Sequence, residues 1–209
     1  LAILFLTALA AGVVALPRPI GDPKYWLGFN EYPLDELRAD RGGEVYYKAL
    51  INPAGKAELC VIERATMSTG DQSRFCGRVK SSFRYKPVTG PDGLPTYFLR
   101  KERWYYFLPD VGGKAPPPSG ADFEIDVQSL PKALNGRVEV RVNVAVNAAG
   151  NLTQCDAPAE ATQAALAKLA CDQLPTIWAV MPEKNATGEP IAYVRQMRVE
   201  FREAGAPAN

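Results

Sequence analysis

The chain of 209 residues reads as an α+β protein made of two tandem α-β-β-α-β units, each a three-stranded antiparallel sheet with a packed helix. Three observations predict this. The phrase INPAGKAELC at 51–60 returns as VNAAGNLTQC at 146–155, an offset of 95 residues. The offset then holds without a gap from Ile51 to Pro95, matching Cys60 to Cys155, Cys76 to Cys171, Phe83 to Trp178, Pro87 to Pro182, and Gly93 and Pro95 to Gly188 and Pro190. A fixed-period echo of this kind is the mark of an internal repeat, here a tandem duplication. Finally, each copy carries the same order of local signals, with period-two alternation on either side of the phrase and a helix-forming run after it.

In the second copy, Val138, Val140, Val142, Val144 and Val146 alternate with Glu139, Arg141, Asn143 and Ala145, which predicts a half-buried strand. The NAAG stretch supplies a turn, with Asn suited to its first position and Gly to its last; in the first copy, Pro53 of NPAG suits the second. A second strand follows and ends near Cys155. The stretch from Asp156 to Leu174 is rich in Ala, Leu, Lys and Gln and predicts a helix, with Ala165, Leu166, Leu169 and Ala170 toward the sheet. After a loop carrying Pro182 and Gly188, Met197, Val199 and Phe201 mark the last strand. The first copy predicts strands at Val45–Asn52 and Lys56–Ala65, a helix near Asp71–Ser82, and a long strand around Thr96–Leu108. A short helical turn is expected before each copy, after Pro33 and after Pro131. The boundaries are thus 28–108 for the first unit, 109–120 for a Pro/Gly linker and 121–205 for the second unit.

Bulk composition narrows the function. With 24 basic and 23 acidic residues the net charge is +1, and no dense basic run supports nucleic-acid binding. The chain has no histidine, which removes Ser–His–Asp and Cys–His catalysis and every His-based zinc site. No spaced set of Tyr, Ser, Asp and Lys suggests a nucleophile with its base, so the expectation is a non-enzyme with no cofactor and no metal. Residues 1–16 form an apolar run without charge, broken by Pro17 and Arg18. That is short for a membrane span and suits a secretory signal, with Ala10 or Ala15 near a cleavage site, or else an inner-membrane anchor. Either places the rest outside the cytoplasm.

Four cysteines allow three pairings. The duplication favours pairing within each copy, Cys60 with Cys76 and Cys155 with Cys171, since each unit then closes on itself in an oxidising compartment. The alternative is four reduced, buried cysteines acting as small hydrophobes. No Cys-x-x-Cys motif points to redox or metal chemistry.

Tyr32–Pro33, a strand, NPAGKAELCVIERATMSTG, a helix, FRYKP and GLP before a last strand together resemble the TonB C-terminal domain family. The second copy carries the same order, with Leu130–Pro131 in place of Tyr-Pro and Trp178 as the aromatic. The resemblance implies a periplasmic domain that couples an inner-membrane motor to outer-membrane receptors, its last strand accepting an extended receptor segment by strand addition. Carried over, the partner-binding candidates are Tyr32, Pro33, Tyr97, Phe98 and Leu99 in the first copy and Tyr193, Val194 and Arg195 in the second. The alternative function is a periplasmic interaction or self-association module without a transport role, including a homodimer through a sheet edge. A free third-strand edge favours peptide binding; an edge filled by the sister copy favours the structural role.

Overall fold

The computed structural model describes residues 13–27, 34–39, 43–106, 120–130, 136–157 and 163–204. A 3-10 turn at Pro23–Tyr25 and the short helix α1 (Leu34–Arg38) lead into β1 (Gly43–Ile51), β2 (Ala57–Ala65), α2 (Thr69–Ser82) and β3 (Tyr97–Tyr106). The second half runs β4 (Phe123–Val127), β5 (Arg137–Val146), β6 (Leu152–Asp156), α3 (Ala164–Ile177), β7 (Glu183–Lys184), β8 (Pro190–Ile191) and β9 (Tyr193–Glu203). The turn expected after Pro131, residues 1–12 of the apolar stretch and nearly all of the 109–120 linker lie outside the described residues.

The repeated phrase builds the β1–β2 and β5–β6 turns. The Gly55 amide donates to the Asn52 carbonyl at 2.8 Å, and Gly150 does the same to Asn147 at 2.9 Å. Each Asn side chain also accepts an amide four residues on, from Lys56 and Asn151, both at 3.0 Å. A short amide side chain that folds back on its own turn is why Asn recurs there. Gly recurs for two reasons. Its φ is +81° at Gly55 and +85° at Gly150, a region that a Cβ disfavours. A Cβ would also lie 2.0 Å from the Tyr85 carbonyl oxygen in one copy and 2.4 Å from the Pro182 nitrogen in the other.

The strands form one seven-stranded sheet in the order β2-β1-β3-β9-β5-β6, with β4 also paired to β9. Two separate three-stranded sheets are expected from the sequence; the structure joins them. Within each trio the pairing is antiparallel as expected. The trios meet where β3 and β9 pair in parallel, Tyr97 with Tyr193 and Phe98 with Val194. A third strand left alone would expose a row of backbone donors and acceptors, and each copy here supplies what the other lacks. The β4 strand continues the cover, pairing Phe123–Val127 with Val199–Glu203. The fold class is α+β, with one large sheet and few helices.

Parallel pairing of like strands turns the two halves face to back. The α2 residues Phe75 and Val79 pack on Val45, Tyr47, Ala49 and Ile51 of β1. The α3 residues Ala167, Ala170 and Leu174 pack on the even-numbered valines of β5. Side chains alternate across a strand, so Leu50 and Leu99 point away from α2 and enter the second core, while Ala145 and Val194 enter the first. Neither core is the work of one half alone.

Helix α2 starts where its cap is: the Ser68 hydroxyl accepts the Asp71 amide at 3.2 Å and donates to the Asp71 carboxylate at 2.9 Å. Helix α3 departs from expectation at its start and its face. It begins at Ala164, and Asp156, expected as its start, instead pairs with Asn143 in the sheet. Ala165 and Leu169 are exposed, and the buried stripe is Ala167, Ala170 and Leu174. The 182–190 segment, expected as a loop, closes into the β7–β8 hairpin.

Candidate functional site

The four cysteines pair within copies. Cys60 on β2 bonds Cys76 on α2, and Cys155 on β6 bonds Cys171 on α3, with a Cα–Cα distance of 5.3 Å in both. Each bond staples a helix to the outermost strand of its half, which has no further strand neighbour among the described residues. Cys171 lies among the α3 residues that face the second core.

The sequence-derived binding residues converge on the seam. Tyr97 and Phe98 pair with Tyr193 and Val194, and Leu99 is buried in the second core. Tyr193 is buried and its hydroxyl donates to the Met181 carbonyl at 2.9 Å. Arg195 is 3% exposed and forms an ion pair with Asp122, just before β4, while the other carboxylate oxygen of Asp122 accepts the Arg198 amide at 2.9 Å. The backbone pairing and the burial of Leu99 and Val194 in the opposite cores join the two halves, whereas Tyr193 and Arg195 are held by partners within the second half. Tyr32 and Pro33 lie outside the described residues.

Beyond Phe98, β3 and β9 part. The edge of β9 that faces β3 is taken over by β4, whereas among the described residues no strand pairs with β3 on that side from Leu99 to Tyr106. A cleft of about 360 Å³ opens at the fork, walled by Arg100 and Glu102 of β3, Arg141 of β5 and Gln196 and Arg198 of β9. Arg141 and Arg198 stand directly opposite each other across the β5–β9 pair, which gives that wall a positive bias. Arg100 is the fixed point of the other wall. It donates to the Tyr85 hydroxyl and pairs with Glu102 at 2.6 Å. Burial works against its charge, yet Glu102 and the phenols of Tyr47 and Tyr85 hold it firmly protonated. Tyr85 itself is pushed up, by burial first.

An N-terminal strap crosses the seam and forms the rim of this cleft through Leu16, Pro17 and Pro19. On the first half it pairs with the segment that follows α2, Lys86 donating to the Arg18 carbonyl at 2.9 Å and Ile20 to that of Arg84 at 2.8 Å. Trp26 then packs against Phe83, tilted, and Tyr85, edge to face, with ring centroids 4.8 and 5.1 Å away. On the second half it is held by Asn143 and Asp156 through Val14. The β7–β8 hairpin makes a second bridge, Glu183 pairing with Lys48 at 2.8 Å and the Ala186 amide donating to Glu58 at 3.2 Å.

Sequence reasoning missed β4 and the fork. The signal for β4 was present, because Phe123, Ile125 and Val127 alternate with Glu124 and Asp126. Nothing local marks Arg100 or Arg141, since the fork depends on where two distant strands diverge. Among the described residues, no group of three His, Cys, Asp or Glu side chains is placed to hold a metal ion. What the site offers is backbone hydrogen bonding along an open strand edge, next to fixed charge. No family model and no curated protein sequence matches the chain.

Proposed function

We propose that the chain is an exported protein-interaction module of the TonB C-terminal kind, two units locked through their third strands, which takes an extended partner segment along the open half of β3. The observation that carries this reading is the contrast between the two third strands: β9 is covered by β3 and then β4, while β3 beyond Phe98 keeps one unpaired edge among the described residues. An edge of that length offers several backbone hydrogen bonds, and alternate side chains such as Lys101 and Arg103 add preference. Two disulfides support an oxidising compartment outside the cytoplasm, the periplasm in this reading. Among the described residues, no helix is long and apolar enough to cross a membrane. The family resemblance supplies the partner class, segments of outer-membrane receptors, and with it a link to energy-coupled transport.

A second reading, self-association or a purely structural role without transport, is favoured by the β3–β9 pair itself, which spends Tyr97, Phe98, Tyr193 and Val194 internally. Crosslinking the exported chain in cells of its source and identifying the captured peptides by mass spectrometry separates the two. Capture of the periplasmic segments of outer-membrane receptors on β3 supports the first reading. Capture of the chain by itself, or of soluble periplasmic proteins alone, supports the second and sinks the transport link.

A further inference from the structure

The apolar N-terminal run offers three bonds for removal by a leader peptidase. Ala8 and Ala10 precede the Ala10–Ala11 bond, Ala10 and Gly12 precede Gly12–Val13, and Val13 and Ala15 precede Ala15–Leu16. The sequence does not choose between them. The fold does, through Val14. Its side chain is 1% exposed and is part of the first core, in a cluster that includes Ala145 and Val194 from the other half. Its amide donates to the Asp156 carboxylate at 2.7 Å, and its carbonyl accepts the Asn143 side-chain amide at 3.1 Å. Asn143 is itself buried. Val13 by contrast is 72% exposed, so the tight hold begins at Val14.

A cut after Ala15 would remove the plug from a core shared by both halves. It would also strip a buried side-chain amide of its acceptor and a carboxylate of a backbone donor, each costly to leave unmet. We infer that processing falls before Val14, at Ala10–Ala11 or Gly12–Val13, and that Val14 belongs to the mature chain as the peg that seats the strap across the seam. The step is hydrolysis: water adds across the bond, leaving a carboxylate on the leader and an ammonium group on the mature chain. This inference rests on the proposed export and extends it to the processing site.

The test is to express the full-length protein in a bacterium that exports it, recover it from the cell envelope, and read its N-terminus by Edman sequencing and intact mass. A mature chain beginning at Ala11 or Val13 is expected. One beginning after Val14 overturns the inference, and so does an uncleaved chain in the membrane fraction. An uncleaved chain confined to the cytosol overturns it and removes the export reading as well, which keeps the two failures distinct. A second comparison does not depend on processing. Oxidised chains beginning at Ala11 and at Leu16 are melted side by side, with loss of several degrees expected for the shorter one. Equal melting points would show that Val14 holds nothing in place.

Discussion

Replacing Gly150 by Ala tests the reason the repeated phrase exists. The residue sits at φ +85°, and a Cβ there would meet Pro182 N at 2.4 Å, Met181 C at 2.6 Å and Met181 N at 2.9 Å. All are backbone atoms of one segment, so no side chain can swing aside. That segment is held by the Gly150 carbonyl, which accepts the Met181 amide and the Trp178 indole N–H, both at 3.0 Å. Relief of the clash therefore breaks these two bonds, at about 1 kcal/mol each. The left-handed backbone adds about 1–2 kcal/mol for a residue with a side chain, and the stiffer unfolded chain returns about 0.5 kcal/mol. The expected loss is about 3 kcal/mol. Gly188→Ala is the control, because Gly188 has the same φ of +85° but nothing within 4 Å of its Cβ position. It keeps the conformational cost alone, about 1 kcal/mol. Equilibrium urea unfolding of the oxidised variants gives both values. If the two variants lost the same stability within about 0.5 kcal/mol, close approach at Gly150 would not be what selects glycine.

Other perturbations reach the staples, the seam and its charges. Removing Cys155–Cys171 as a double Ala variant opens a loop with a sequence separation of 16 and should cost about 3 kcal/mol by the chain-entropy estimate; a loss below about 1 kcal/mol in urea unfolding would contradict it. Burial pushes the Tyr193 phenol up to about 12, with Arg195 opposing and Glu183 adding to the shift. A raised folded pKa favours the protonated phenol in the fold, so this stability is whole below about pH 10 and is lost as pH rises toward 12. Phenolate absorbance should therefore show Tyr193 ionising together with unfolding, a coupling that Tyr193→Phe removes. The Lys48–Glu183 bridge, with side chains 26% and 20% exposed, should show a coupling of about 1 kcal/mol or less in a double-mutant cycle, and less at high salt.

How much of this was legible in the sequence varies with the range of the forces involved. The strands, the Asn–Gly turns and the two disulfides follow from local alternation, local hydrogen bonding and the 95-residue offset. The α3 face was legible too, but from a different signal: Ala167, Ala170, Cys171 and Leu174 follow i, i+3, i+4, i+7, and a cysteine that must reach β6 orients the helix. Of the face expected from the run, Ala170 is buried and Leu166 packs on the second core, while Ala165 and Leu169 are exposed. The seam could not be read in this way. It rests on two residue pairs between strands 96 positions apart, and the same alternating pattern would serve an edge open to solvent. The fork at Arg100 and the peg at Val14 likewise arise only once both halves are in place.

Amide hydrogen exchange along β3 and β9 of the oxidised chain tests the central claim most directly. If β9 is paired on both sides and β3 only toward β1 beyond Phe98, consecutive amides from Val199 to Arg202 should be protected, while alternate amides between Leu99 and Tyr106 exchange near the unprotected rate. Unbroken protection from Leu99 to Tyr106 would mean that the edge is already covered, and would contradict the proposal that a partner segment binds there.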